Sequence, residues 1–228
     1  ITIPAADLQA LAEGNTYSLT ADVSDTSGNA AAQYSATSFA VDVTAPTIET
    51  VSASWGNAVN AADEVSEGKV TVTTNGAEDG QTVTVALNGT DYTGDVSGGS
   101  AAITIPAAGL QALTDGISYS LTANVSDAAG NAAVQNDATS FAVDVTAPTI
   151  GTVTTSWGSV INAAEDDSDG TVTVTTVGAE DGQTVTVALN GANYTGDVSG
   201  GSVAITIPAA DLQALTDGTS YPLTADVS

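Results

Sequence analysis

The chain has 228 residues, 42% of them hydrophobic, which is enough for one large domain or two modest ones with packed cores and not a disordered tail. Its charge is one-sided: 27 Asp and Glu stand against a single basic residue, Lys69, for a formal net charge of −26. That balance excludes a binder of the nucleic-acid backbone, which needs clustered Lys and Arg. The absence of Cys and His removes disulfides, thiolate chemistry, Cys-type zinc sites and the commonest general base.

No apolar run approaches the ~20 residues of a membrane span, and no charged segment precedes an apolar one at the start. The expectation is a soluble segment with no direct membrane insertion, any secretion signal lying elsewhere. Such an acidic excess keeps a secreted protein soluble but costs self-repulsion in the compact state unless cations neutralise it. Bound divalent metal is the obvious remedy.

The chain repeats itself. ITIPAADLQAL at Ile1 returns as ITIPAAGLQAL at Ile103 and as ITIPAADLQAL at Ile205, a period of 102 residues. The same shift carries Val41 to Val143, Trp55 to Trp157, Asn60 to Asn162 and Gly76 to Gly178, so no insertion or deletion separates the copies. Proline cannot donate to a ladder and favours an extended connection, so the VDVTAP stretches at Pro46 and Pro148 mark the links between units. On that phase residues 1–44 are the C-terminal part of one repeat, 45–145 a complete repeat, and 146–228 a repeat lacking its last strand.

Taken in chain order, the middle repeat first offers Trp55, whose position beside an apolar strand suits either core packing or a sugar-stacking platform. KVTVTT from Lys69 and TVTVALN from Thr82 then alternate apolar and polar residues with period two, as half-buried strands do. NGAEDGQ, LNGTD, VSGGS and DAAGNAA supply the turn residues between strands. PAAGLQALTDG from Pro106 is the one helical candidate, opened by Pro and closed by Gly116. SYSLTANVS follows, and Tyr119, with Tyr17 and Tyr221 in the other copies, is either a tyrosine corner or an ordinary core tyrosine.

About seven short strands in ~100 residues predict an all-β fold of tandem immunoglobulin-like β-sandwich domains of about 102 residues, joined end to end by short linkers. One departure tests the scheme: Pro222 replaces Ser120 inside the penultimate strand, so its nitrogen is expected to face away from any partner.

The GAEDGQTVTVALNG, ITIPAADLQAL, VSDAAGNAA and VDVTAPTI segments, in this order, resemble the bacterial Ig-like extender repeats of giant type I-secreted, RTX-type biofilm and surface adhesins. The resemblance covers essentially the whole chain. It implies a spacer on the secreted, cell-surface side of a bacterium, stacked between an anchor and a distal tip. Its partners would then be neighbouring repeats of the same chain, while other domains of the full protein bind the ligand. It also implies Ca²⁺ at the domain junctions, rigidifying the string for adhesion or biofilm formation.

In an immunoglobulin topology the linker meets the B–C and F–G loops of the following domain at one end. For the first junction this brings together Asp42 in the linker, Glu78 and Asp79 in GAEDGQ, and Asp127 with Asn131 in SDAAGN, all hard oxygen donors suited to Ca²⁺. Asp25 holds the Asp127 position one repeat earlier. The second junction offers Asp144, Glu180 and Asp181, with its F–G loop expected just past Ser228. Without metal, close carboxylate pairs repel by roughly 4 kcal/mol at an effective dielectric near 20.

A second candidate is the loop after Trp157, where Glu165, Asp167, Asp169 and Gly170 fall at positions 1, 3, 5 and 6 of a DxDxDG-like turn. An EF-hand is rejected, because position 12 is Thr176 and the other copy reads Asp63, Val65, Glu67 and Gly68. For each of these acids the alternative is a solvated turn carboxylate.

An enzyme needs a nucleophile with a base, or an acid pair in a cleft, and loops this short build no deep pocket. No catalytic residue is therefore assigned. The competing readings are an Ig-like binding module, which near-identical copies oppose, and a spacer of another secreted surface protein such as a hydrolase or a surface-layer filament.

Overall fold

The computed structural model describes residues 1–228, apart from the side chains of residues 35, 36, 137 and 138. The chain divides into two compact units, Ile1–Val145 and Thr146–Ser228. No helix among the described residues is long and apolar enough to cross a membrane.

The first unit begins with α1 (Ala5–Gln9), β1 (Thr16–Ala21) and β2 (Tyr34–Ala40), the two strands pairing antiparallel as a sheet of their own. There follow β3 (Thr47–Ala53), β4 (Ala58–Val59), β5 (Gly68–Asn75), β6 (Thr82–Leu87), β7 (Thr90–Asp95), β8 (Ser100–Ile105), α2 (Ala107–Gln111), β9 (Ser118–Asn124) and β10 (Asn136–Val143). They form two sheets, one ordered β3-β5-β8 and the other β4-β10-β9-β6-β7. After β3 the chain changes sheets, and β4 pairs parallel with β10. This is a sandwich of immunoglobulin type, in which inward residues of both sheets share one core.

Alternation sets the faces. Along β5 the buried positions are Gly68, Val70, Val72 and Thr74, with the intervening residues exposed or partly so. Val70, Val72, Ile103 and Ile105 from one sheet meet Val83, Val85, Leu87, Leu121, Ala123, Phe141 and Val143 from the other. Each such side chain taken fully out of water contributes about 1.5–3 kcal/mol.

The two-residue connection between β6 and β7 is Asn88-Gly89. Its φ angles of 49° and 78° put both residues in the left-handed region, as a type I′ hairpin demands, and the turn recurs at Asn190 and Gly191.

Trp55 is 7% exposed and lies edge-on to Phe141, with ring centroids 5.2 Å apart. It is a core residue and not a sugar platform, although its buried indole nitrogen has no hydrogen-bond partner among the described residues. The ring lies flat against β5, where a Cβ on Gly68 would stand 2.8 Å from its Cε3 atom.

The tyrosines form corners. Tyr119 Oη accepts a hydrogen bond from Thr114 N at 3.0 Å, and the same bond joins Tyr17 to Ala12 at 2.9 Å. Hydrogen bonding with the Thr114 side chain, and then with its amide, lowers the Tyr119 phenol below its usual range.

The second unit contains β11 (Thr149–Thr155), β12 (Gly170–Val177), β13 (Thr184–Leu189), β14 (Ala192–Asp197), β15 (Ser202–Ile207), α3 (Ala209–Gln213) and β16 (Leu223–Val227). Its sheets are ordered β11-β12-β15 and β14-β13-β16 around a core of Val172, Val174, Val185, Val187, Ile205, Ile207 and Leu212. Tyr221 Oη accepts from Thr216 N at 2.9 Å, repeating the corner. Pro222 falls just ahead of β16, outside the β13 ladder.

Candidate metal centre

The turn between β9 and β10 is built by Asp127 and Asn131. Asp127 N donates to Asn131 O at 3.1 Å, while Asp127 Oδ1 accepts from Asn131 N at 2.7 Å. Asp127 is 4% exposed. Burial pushes its carboxyl up, but the hydrogen bonds from the Asn131 side chain and from the Asn131, Gly130 and Ala129 amides outweigh that and hold it below the usual carboxylate range. Asp25 closes the same turn one repeat earlier on Asn29, and is also lowered, chiefly by the Asn29 side chain.

Asn131 also reaches the linker. Its Nδ2 donates to Asp127 Oδ2 at 2.8 Å, to the Asp42 carbonyl at 3.2 Å and to Asp42 Oδ1 at 3.4 Å, so one amide sits between two carboxylates. Glu78 joins the same end of the sandwich, its Oε2 accepting from Ala128 N at 2.9 Å. Asp42, Glu78, Asp127 and Asn131 therefore gather where the linker meets the B–C and F–G turns.

Asp79 turns elsewhere. Its Oδ1 accepts from Gly98 N at 2.7 Å and closes the turn between β7 and β8, and Asp181 does the same for Gly200 N at 2.7 Å. Glu180 lies in the corresponding B–C turn, where its carbonyl accepts from Gln183 N at 3.2 Å. Asp144 belongs to the first unit, its amide donating to Val59 O at 2.9 Å.

The acids of the long loop after the tryptophan close turns. Asn162 N donates to Glu165 Oε2 at 2.9 Å and Asn60 N to Asp63 Oδ2 at 3.1 Å, each a capping-box pairing on one short turn. Asp169 Oδ1 accepts from Ala209 N at 2.9 Å, the first residue of α3, and Asp167 Oδ1 accepts from Gln213 Nε2 at 3.1 Å. These bonds span 40 and 46 residues, so the loop is fastened to the helix. Nothing in the local spacing reveals such partners.

Sequence reasoning also missed two acids that hold the linkers. Glu13 Oε2 accepts from Val43 N at 2.9 Å, and Asp115 Oδ1 accepts from Val145 N at 3.0 Å. The signal was present: an acid precedes the glycine at 14, 116 and 218 in all three copies.

Among the described residues, no three acidic side chains come together at metal-ligating spacing. The donor set at the first junction still suits a hard cation by chemistry, with two carboxylates, an amide and a backbone carbonyl converging on one point. One feature opposes it, since Asn131 presents its NH₂ group and not its oxygen to both aspartates.

The sandwich topology, repeated in both units, defines the class as tandem immunoglobulin-like domains. No family model matches the chain, and no curated protein does. Solved structures do. A structure described as "Ca2+-stabilized adhesin helps an Antarctic bacterium reach out and bind ice" is 27% identical, over 93% of this chain and 55% of that one, at a TM-score of 0.46. This chain thus spans about half the length of that neighbour. A segment of a 1.5-MDa bacterial ice-binding adhesin is 24% identical, covering 100% of this chain and 77% of the other, at a TM-score of 0.48. A tetra-tandem repeat from the extending region of a large adhesion protein is 21% identical, over 94% and 56%, at 0.40. With every TM-score below 0.5, the fold assignment rests on the sheet order of this chain.

Proposed function

We propose that the chain is a structural extender segment of a bacterial cell-surface adhesin. In this reading its Ig-like repeats, 1–44, 45–145 and 146–228, are spacers that project a distal binding domain, stiffened by calcium at their junctions. The solved adhesin segments lend the terms of the proposal, an extending region and Ca²⁺ stabilisation, and its support comes from this chain's own residues. The observation that carries it is the hold on Asp42: a linker residue is gripped by the F–G turn of the following repeat through Asn131, where two carboxylates share a single amide donor.

At that point Asp42, Asp127 and the oxygen of Asn131 would hold Ca²⁺, the amide having turned its oxygen inward, and Glu78 would join them only by swinging from the Ala128 amide that it now accepts from. The cation would supply charge neutralisation where the amide now offers only partial positive charge. The chain's residues supply the rest. Asp127 is fixed by its own turn, Glu78 is tied to the same turn, and Asp42 is delivered by an extended strand exit. A role in length and stiffness also accounts for near-identical copies, which recognition loops would not need.

Calorimetric titration of Ca²⁺ into two intact tandem repeats tests this site. Saturable binding is expected, weakened about tenfold or more by Asp42→Asn together with Asp127→Asn, since each removes a charged ligand. Absence of heat in the wild-type protein, or binding untouched by both changes, would count against the metal centre.

A further inference from the structure

The linker's departure from each repeat has a hold that involves no metal. Just past β2, and at the last residue of β10, the ladder with the preceding strand continues: Val41 N donates to Asn15 O at 3.0 Å and Val143 N to Ile117 O at 3.0 Å. Gly14 N and Gly116 N donate back to the carbonyls of Val41 and Val143, at 2.9 and 2.8 Å. Two residues further on, the next inward amides are Val43 N and Val145 N. Among the described residues neither amide has a backbone acceptor. A carboxylate takes that place, Glu13 for Val43 and Asp115 for Val145.

We infer that Glu13 and Asp115, and by repeat Asp217, are junction-positioning residues whose carboxylates act as surrogate ladder carbonyls and fix the direction in which the linker leaves its repeat. The consequence is geometric. The linker is hydrogen-bonded to its own repeat as far as Val43, the carbonyl of Asp42 is gripped from the far side by Asn131 at 3.2 Å, and Pro46 fixes its own φ while restricting Ala45. The short side chain suffices because the glycine that follows, at φ 74° and 76° in the two copies, folds the acid back beside the exiting strand. Both Asp and Glu reach the amide, which explains why the copies differ in length but not in charge.

This inference rests on the extender reading for its purpose but not for its test. The chain has no cysteine, so Thr104→Cys and Thr206→Cys, on exposed strand positions of the two units, accept spin labels uniquely in the 228-residue chain. The width of the label-to-label distance distribution is read with Ca²⁺ and with chelator. Asp115→Ala is expected to widen it about twofold in both conditions, while Asp115→Asn, which keeps an acceptor oxygen, stays close to the parent. The unfolding midpoint of the first unit should hold in both variants. An unchanged width in Asp115→Ala, a width in Asp115→Asn as broad as in Asp115→Ala, or a broadening that follows a fallen midpoint would each overturn the inference. The labels straddle the second junction whereas the metal centre was placed at the first, so calcium serves here as a control: the Ala-against-Asn comparison reads the staple alone, and the calorimetric titration tests the metal.

Discussion

Phe141→Ala is the perturbation that most directly probes how a repeat closes. Phe141 is 2% exposed on the last strand of the middle sandwich, edge-on to Trp55 at 5.2 Å and tilted over Tyr119 at 6.4 Å. Truncating a buried Phe costs about 3–5 kcal/mol, of which the aromatic contacts account for about 0.5–1.5. A domain of this size holds only about 5–15 kcal/mol. With a urea slope of about 2 kcal/mol per molar, the unfolding midpoint of the first unit should fall by about 2 M. Trp55 fluorescence reports it in a Trp157→Phe background, since Trp55 touches the ring that is removed. A shift below about 0.5 M would refute the idea that β10 completes the core.

Gly68→Ala should destabilise the same unit by about 1–3 kcal/mol, because the new methyl strikes the Trp55 ring, and the same urea titration measures it. Tyr119→Phe keeps the ring and removes the acceptor of Thr114 N, so hydrogen exchange at Thr114 should quicken about tenfold while β9 keeps its protection. The lowered Asp127 carboxyl sets an acid limb. Its contribution is fully present above the ordinary carboxylate value, about pH 4, and is lost as pH falls through the depressed folded value. Thermal midpoints should therefore be flat from pH 5 to 7 and fall below pH 4, and Asp127→Asn should flatten that fall.

The sandwich was legible because its signals are local and repeated. Period-two alternation through Lys69–Thr74 and Thr82–Leu87, Asn-Gly at the hairpin and Pro106 opening a single helical turn each follow from residues close in sequence. The junction was legible in outline, since an immunoglobulin topology brings linker, B–C and F–G turns to one end, and Asp42, Glu78, Asp127 and Asn131 do meet there. Asp79 did not follow, because the amide of Gly98, nineteen residues on, is a nearer partner than the linker. The acids after Trp157 look like a metal loop only when spacing is read alone. The α3 partners of Asp167 and Asp169 lie 40 or more residues away, and a tertiary contact of that range leaves no periodic trace. Glu13 and Asp115 escaped for the opposite reason, standing in a turn that already had a sufficient explanation in its glycine.

Extension is the central claim, and small-angle scattering on two intact tandem repeats tests it most directly, first with saturating Ca²⁺ and then with chelator. When calcium is withdrawn, the maximum dimension is expected to shrink or the distance distribution to broaden. A profile unchanged by the chelator would show that the junction acids are surface charge and that calcium does not stiffen this chain.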